Sequence, residues 1–416
     1  MNYRSNIWKY YALNFFRGIG GGLVVPILVL FYLDRGISLE TFMILMAILN
    51  LSVFALEIPG GIIADRYSRK WSIVVGRIFF TISFGLMLIT TNIPLLGIAF
   101  FLFGLGESLI SGADSALLYD SLKAEDREDE FQETFGTGIS IMLVTMVLGT
   151  IICGYLVSIG SLVTPMWVGF VLGMIGIVPP MLFLEPPFKQ ENVEAETQSR
   201  TLKSEFASHL KHTRASLRLV FADRTFLVFS FVNIAILRMH LFSDRPFLQP
   251  YLLSFDYSPE TIGYLYGIFC GVSAISSKYS GKIVGAIGAD ERNGLIAVCL
   301  IGIVSLVGMV QAPTGVVVVV ALVGINLVKG LAIPFIQTGL NRRLTSDKRA
   351  SCLSMSKMGV NFLGIFLGPL FGWIADTHSL AASLSAFQWI FGPMLVAGLI
   401  MTAIGLRPAP KIKANT

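Results

Sequence analysis

The sequence has 416 residues, 54% of them hydrophobic and only 14% charged, with a formal net charge of +5. A soluble chain of this length needs a far more polar surface. A nucleic-acid binder would spread its positive charge along the chain, whereas here it sits in short stretches between long apolar runs.

A bilayer core of about 30 Å takes about 20 apolar helical residues to cross. Twelve such runs occur, at 9–33, 38–63, 72–91, 94–119, 135–159, 163–184, 224–253, 259–282, 293–312, 315–340, 350–375 and 381–406. They predict an all-α integral membrane protein with twelve transmembrane helices. Residues 1–11 carry Arg4 and Lys9, but no small-residue cleavage pattern follows the first apolar run, so no cleavable leader is expected. Cys153, Cys270, Cys299 and Cys352 lie in apolar segments without ligand spacing, which predicts neither a disulfide framework nor a metal centre.

Lys and Arg divide the connections into two classes. One side holds Arg4, Lys9, Arg66, Arg69, Lys70, Lys123, Arg127, the basic residues of 189–218, Lys282, Arg292, Arg342, Arg343, Lys348, Arg349 and the C-terminal tail; the other holds Arg35 and little else. The positive-inside rule then places both termini and the 185–223 stretch in the cytoplasm. Acidic residues between 120 and 134 do not oppose this, since acids weigh little in the rule.

Six spans, a long polar linker and six more spans suggest a duplication. Shifting the first half by 220 positions puts Pro26 on Pro246, Glu40-Thr41 on Glu260-Thr261 and Gly61 on Gly281. The expected organisation is a bundle at 1–184, a cytoplasmic linker at 185–223 and a second bundle at 224–416. Parallel repeats of this kind are a common way to build transporters.

After the second span comes Gly61-Ile-Ile-Ala-Asp65-Arg66-Tyr-Ser-Arg69-Lys70. It resembles the cytoplasmic loop signature of major facilitator proteins, Gly-x-x-x-Asp-Arg-x-Gly-Arg-Lys, with Ser68 in place of the usual Gly. The wider string Glu57-x-Pro59 to Lys70 resembles the variant found in P-class tetracycline exporters. Gly149-Thr150-Ile-Ile-Cys153-Gly154 in span 5 looks like a degraded antiporter motif, with Thr150 where that motif has Pro and Cys153 where it has Gly. The resemblance implies two pseudo-symmetric six-helix bundles and transport by alternating access. It also implies a clamp of Asp65, Arg69 and Asp120 that closes the cytoplasmic side, with Asp65 at the start of span 11. The alternative for these three is that they are solvated charges that set topology. In span 11, Gly364, Gly368 and Gly372 read mainly as close helix packing.

Ionisable residues at mid-membrane are costly and normally face a cavity or a partner. Arg17, Arg77, Glu107, Asp114, Arg238, His240, Lys278, Lys329 and Lys357 lie within spans. In facilitator proteins spans 1, 4, 7 and 10 line the cavity, and Arg17, Glu107, Asp114, Arg238, His240 and Lys329 fall on them. Glu107 and Asp114 are seven residues apart, which predicts one helical face, with Arg17 between them in depth. Asp114 reads either as a structural ion pair with Arg17 or as a proton or substrate site. Glu107 is the leading proton-coupling candidate, and its repeat equivalent is Lys329. Arg238 and Lys329 either bind an anionic substrate group or neutralise the acids opposite. His240 either titrates or simply forms hydrogen bonds. Arg77 and Lys278 are expected to snorkel toward the cytoplasmic face without a further role. Asp244-Arg245-Pro246 reads as a locally paired break near the outer end of span 7.

No Gly-x-x-x-x-Gly-Lys-Ser/Thr loop, metalloprotease pattern or nucleophile elbow is present, so neither an ATP-driven pump nor an enzyme is expected. The expected protein is a monomeric transporter of the plasma (inner) membrane that uses no cofactor and binds no nucleic acid. Its partners are a small-molecule substrate, protons and the lipid bilayer. Proton-coupled export of a small organic compound leads the alternatives. Import or uniport of an organic anion, and a non-transporting receptor on the same scaffold, remain open.

Overall fold

The computed structural model describes residues 3–186, 224–244, 247–282, 291–343 and 346–405. In chain order the helices begin with α1 (Ser5–Val24), α2 (Leu28–Asp34), α3 (Leu39–Arg66), α4 (Arg69–Ile89), α5 (Ile93–Ile110) and α6 (Ala113–Lys123). A 3₁₀ turn at Glu128–Glu130 leads into α7 (Phe131–Ile159), α8 (Val163–Ile175) and α9 (Val178–Met181). Then come α10 (Arg224–Asp244), α11 (Leu248–Leu253), α12 (Pro259–Lys278), α13 (Glu291–Val310), α14 (Gly315–Arg343), α15 (Ser346–Thr377) and α16 (Leu380–Gly405).

Each of the twelve apolar runs coincides with one helix or with a broken pair. Among the described residues eight helical spans are long and apolar enough to cross a bilayer, and the α1–α2 pair, bent by 42°, makes a ninth. The long α7 exposes Val144, Leu148, Ile151, Ile152, Tyr155 and Ile159, an apolar stripe suited to lipid.

The breaks have local causes. Pro26 cannot donate a backbone hydrogen bond, and α1 stops at Val24. Gly112 adopts φ +82°, a left-handed conformation that glycine takes without a Cβ penalty, and it separates α5 from α6. Pro179 and Pro180 lack the N–H groups that would continue α8, which ends at Ile175.

The 220-residue repeat extends to the boundaries of the elements. α1 ends at Val24 and α10 at Asp244; α2 starts at Leu28 and α11 at Leu248; α3 starts at Leu39 and α12 at Pro259. Gly36 and Asp256 both take positive φ, 78° and 63°. The Ser38 hydroxyl accepts from Thr41 N at 3.2 Å, and the Ser258 hydroxyl accepts from Thr261 N at 3.3 Å. The same N-cap therefore opens the second span of each half.

The chain divides into two compact units. One takes positions up to 210 with 257–267 and 364–373; the other takes 211–256, 268–363 and 374–416. Inside the first unit small residues let backbones meet. A Cβ at Gly149 would stand 2.6 Å from the Ile19 carbonyl oxygen on α1, and one at Gly154 would stand 2.8 Å from that of Glu260 on α12. Gly372 of α15 lies as close to Glu40. Phe31, Tyr32, Phe42 and Phe100 form one buried aromatic cluster. Tyr10, Leu13, Ile73, Leu117, Leu118, Leu122 and Phe183 form another core. Next to that second core, buried Asn6 donates to Ser121 Oγ at 2.8 Å and to the Leu184 carbonyl at 2.7 Å. Its own oxygen accepts from Leu184 N at 2.9 Å.

Within the second unit α13 packs on α14 and α16, and α10 on α14 and α16. The Tyr251 hydroxyl of α11 donates to the Met309 carbonyl at 2.5 Å. Ser276 Oγ of α12 fills the notch left by Gly330 on α14, as Ser52 of α3 does at Gly104 of α5 in the first unit.

Candidate substrate and proton site

The site in the first unit is built on α1. Asn14, one turn before Arg17, is buried and donates to the Tyr10 carbonyl at 3.0 Å. Arg17 Nη1 donates to Asp114 Oδ2 at 2.9 Å, and its Nη2 stands 3.7 Å from Glu107 Oε1. One guanidinium therefore serves two acids unequally. Asp114 is close and largely covered, with 15% of its side chain exposed, whereas Glu107 is looser and 41% exposed.

The two acids do not share one continuous helical face. Glu107 lies in the last turn of α5 and Asp114 in the first turn of α6, with the Gly112 break between them. The break places the Asp114 carboxylate at a helix N-terminus, where a negative charge is favoured. Asp114 Oδ1 also accepts from Ser115 N at 2.7 Å. Asp114 thus has two close partners, Arg17 and Ser115 N, whereas Glu107 is the more exposed of the two carboxylates.

Arg77 departs from expectation. It is 3% exposed and does not snorkel. Its guanidinium turns away from the Arg69 end of α4 and lies 5.2 Å from the Phe80 ring centroid, deeper along the helix. Space for it comes from Gly176, where a Cβ would stand 2.7 Å from Arg77 Nη2. Lys278 is exposed, with its ammonium 5.5 Å from the Tyr279 ring centroid. Lys329 is half-buried on α14. Arg238 and His240 lie on α10, but their side chains fall outside the described residues, as do those of Lys357 and Asp244. Arg245 and Pro246 are also outside.

The loop signature forms a second cluster. Asp65 Oδ1 accepts from Arg69 Nε at 3.3 Å, and Arg69 Nη1 pairs with Asp120 and donates to the Ala116 carbonyl at 3.2 Å. Ser68 is the N-cap of α4, its hydroxyl accepting from Trp71 N at 3.1 Å.

Glu185, the first residue of the expected linker, completes this cluster. Its carboxylate accepts from Ser68 Oγ at 2.7 Å, Arg69 N at 3.0 Å and Lys70 N at 3.1 Å. The departure from the loop signature at Ser68 thus provides a hydroxyl for an acid at the end of the sixth span. The readable hint was an acid directly after that apolar run.

Residues 10–369 match the family described as the Major Facilitator Superfamily. The MFS-type transporter YxaM of Bacillus subtilis (strain 168) is 22% identical over 409 residues, covering 98% of this chain and 96% of that protein. The quinolone resistance protein NorA of Staphylococcus aureus (strain Mu50 / ATCC 700699) is 23% identical over 185 residues, 44% of this chain and 46% of NorA. Among solved structures, the nucleoside transporter NupG superposes with a TM-score of 0.74 at 15% identity, over 96% of this chain and 99% of NupG. A D-xylose-proton symporter gives 0.68 at 15%, over 96% of each chain. The chain belongs to the major facilitator superfamily and is a multi-pass membrane transporter with that superfamily's fold.

Proposed function

We propose that this protein is a proton-coupled exporter of a small organic compound, with Glu107 as the proton-carrying group. The observation that carries the reading is the unequal grip of Arg17 on its two acids, 2.9 Å to Asp114 and 3.7 Å to Glu107. A coupling group must gain and lose a proton and be reachable from water. Arginine does not release its proton. Asp114 is held by Arg17, Ser115 N and a helix N-terminus, whereas Glu107 is open. Similarity to NorA over part of the chain favours export.

In this reading Asp65, Arg69 and Asp120 clamp the cytoplasmic side, Asp65 meets the start of span 11, and Glu185 holds the loop in place. Lys329, Arg238 and His240 contribute from the second half, Lys329 opposite Glu107. The bundles are 1–184 and 224–416, both termini and the 185–223 linker are cytoplasmic, and the protein works as a monomer in the plasma membrane.

Proton-coupled import is the second reading, favoured by the whole-chain fold likeness to a D-xylose-proton symporter. Inverted membrane vesicles separate the two. An exporter accumulates its substrate in them when the interior is acidified, and an importer does not. Glu107→Gln abolishes the gradient-driven component under either reading; its persistence at the wild-type rate in both Glu107→Gln and Asp114→Asn overturns the assignment of the proton site.

A further inference from the structure

Asn6 is a buried polar side chain, 1% exposed, in the first turn of α1, and the proposed transport cycle has not used it. An amide side chain offers two N–H groups and one carbonyl oxygen. All of that capacity is taken up. The Nδ2 group donates to Ser121 Oγ at 2.8 Å and to the Leu184 carbonyl at 2.7 Å. Oδ1 accepts from Leu184 N at 2.9 Å and from Lys9 Nζ at 3.4 Å. A serine or an apolar residue could not hold these groups at once.

The bonds to Leu184 are of a particular kind. Leu184 lies outside any helix, after the turn in which Phe183 N still bonds to the Pro180 carbonyl. Its N–H and its C=O are both carried by the one Asn6 amide, which does for this residue what a helix ladder would otherwise do. Peptide units are planar, so fixing the Leu184 carbonyl also fixes the plane from which Glu185 starts.

The residues next to both Asn6 partners are acids of the loop-signature cluster. Glu185 follows Leu184, and its carboxylate accepts from Ser68 Oγ, Arg69 N and Lys70 N. Asp120 precedes Ser121 and pairs with the Arg69 guanidinium. Asn6 itself makes no bond to residues 65–70. Ser121 is already tied to its own helix, donating to the Leu117 carbonyl at 2.6 Å, so its bond from Asn6 serves to join α6 to α1. A second tie on the same side runs from Tyr3 N to Glu125 Oε1 at 2.7 Å, just past the end of α6.

We propose that Asn6 is a positioning residue of the cytoplasmic clamp: by holding Leu184 and Ser121 it sets the register of Glu185 and Asp120, the acids that grip the backbone and the side chain of Arg69. This rests on the reading of Asp65, Arg69 and Asp120 as that clamp. Asn6 acts only through these two neighbours. Without it, the end of the sixth span and the end of α6 are no longer registered to one point on α1, and Arg69 loses the fixed pair of acids.

Two measurements on the full chain test this. The first is amide exchange in lipid. In Asn6→Ala, protection at Arg69 and Lys70 falls by about three- to tenfold, although neither residue touches Asn6, while the far end of α4 near Ile89 keeps its protection. Adding Asn6→Ala to Glu185→Ala lowers protection at these two amides no further, because the route through Glu185 is already broken. Ser121→Ala cuts only the tie to α6 and spares both amides. The second measurement is alkylation of Ser111→Cys by an impermeant maleimide in inside-out vesicles, read by peptide mass. Ser111 is exposed in the fourth span, nine residues before Asp120. Arg69→Gln speeds this reaction if the clamp closes the cytoplasmic side, and Asn6→Ala speeds it as well. Asn6→Ser, too short to reach Ser121 and Leu184 together, decides both measurements if Asn6→Ala does not fold. Unchanged alkylation in Arg69→Gln overturns the clamp reading. Faster alkylation in Arg69→Gln, with either readout at its wild-type value in the deciding Asn6 variant, overturns the role of Asn6 alone. Additive losses with Glu185→Ala overturn it too.

Discussion

Replacing Glu185 with alanine removes one carboxylate that serves three donors: Ser68 Oγ, Arg69 N and Lys70 N. Loss of an N-terminal cap costs about 0.5–2 kcal/mol. The site is exposed, so water replaces part of each lost bond. The negative charge at the α4 N-terminus contributes about 0.3–1 kcal/mol. Together these place Glu185→Ala at about 1–2 kcal/mol of local destabilisation. Glu185→Gln keeps one acceptor oxygen without the charge and loses about half as much. Ser68 still accepts from Trp71 N, so α4 frays at its first turn and does not unfold. Hydrogen exchange reads this directly. Protection of the Arg69 and Lys70 amides falls about tenfold for each 1.4 kcal/mol in Glu185→Ala, while the far end of α4 near Ile89 keeps its protection. Wild-type protection at Arg69 and Lys70 in Glu185→Ala refutes the idea that Glu185 holds the loop.

Asn6→Leu leaves the Leu184 N–H and carbonyl without their side-chain partner and removes the donor to Ser121 Oγ, which keeps its bond to the Leu117 carbonyl, and lowers stability by about 2–4 kcal/mol; thermal unfolding in detergent measures it, and an unchanged midpoint contradicts it. Gly149→Val drives a Cβ against the Ile19 carbonyl on α1, so the helices must part, at a cost of about 1–3 kcal/mol in the same assay. Arg200→Cys in intact cells is shielded from a membrane-impermeant maleimide, and labelling from outside reverses the proposed orientation.

The twelve spans were legible because length and apolarity are local properties of a chain, and a bilayer imposes both. The repeat was legible for a similar reason. The ends of α1 and α10 and the starts of α2 and α11 fall at equivalent positions of the repeat, and the Glu-Thr pairs after Ser38 and Ser258 mark the same cap. The break at Gly112 was locally available in the Ser111-Gly112 pair, but the apolar residues on both sides of it read as one span over 94–119. Arg77 was misread because the direction of a side chain depends on where space exists, and that space is set by a missing Cβ at Gly176, far along the chain. Glu185 escaped because its three donors lie 115 to 117 residues away, a pairing that span patterns do not encode. Arg17 was placed near both acids by depth alone. Which acid it grips more tightly depends on the turn that carries Asp114 to a helix N-terminus.

The most direct test of the central claim is proton flux in proteoliposomes carrying a trapped pH indicator. Quinolones, lipophilic cations, nucleosides and pentoses are added in turn to wild-type protein and to Glu107→Gln. The account predicts that a transported compound dissipates the imposed pH gradient through the wild type and leaves it standing in Glu107→Gln, while still binding to the variant. A compound that dissipates the gradient equally through both proteins contradicts it.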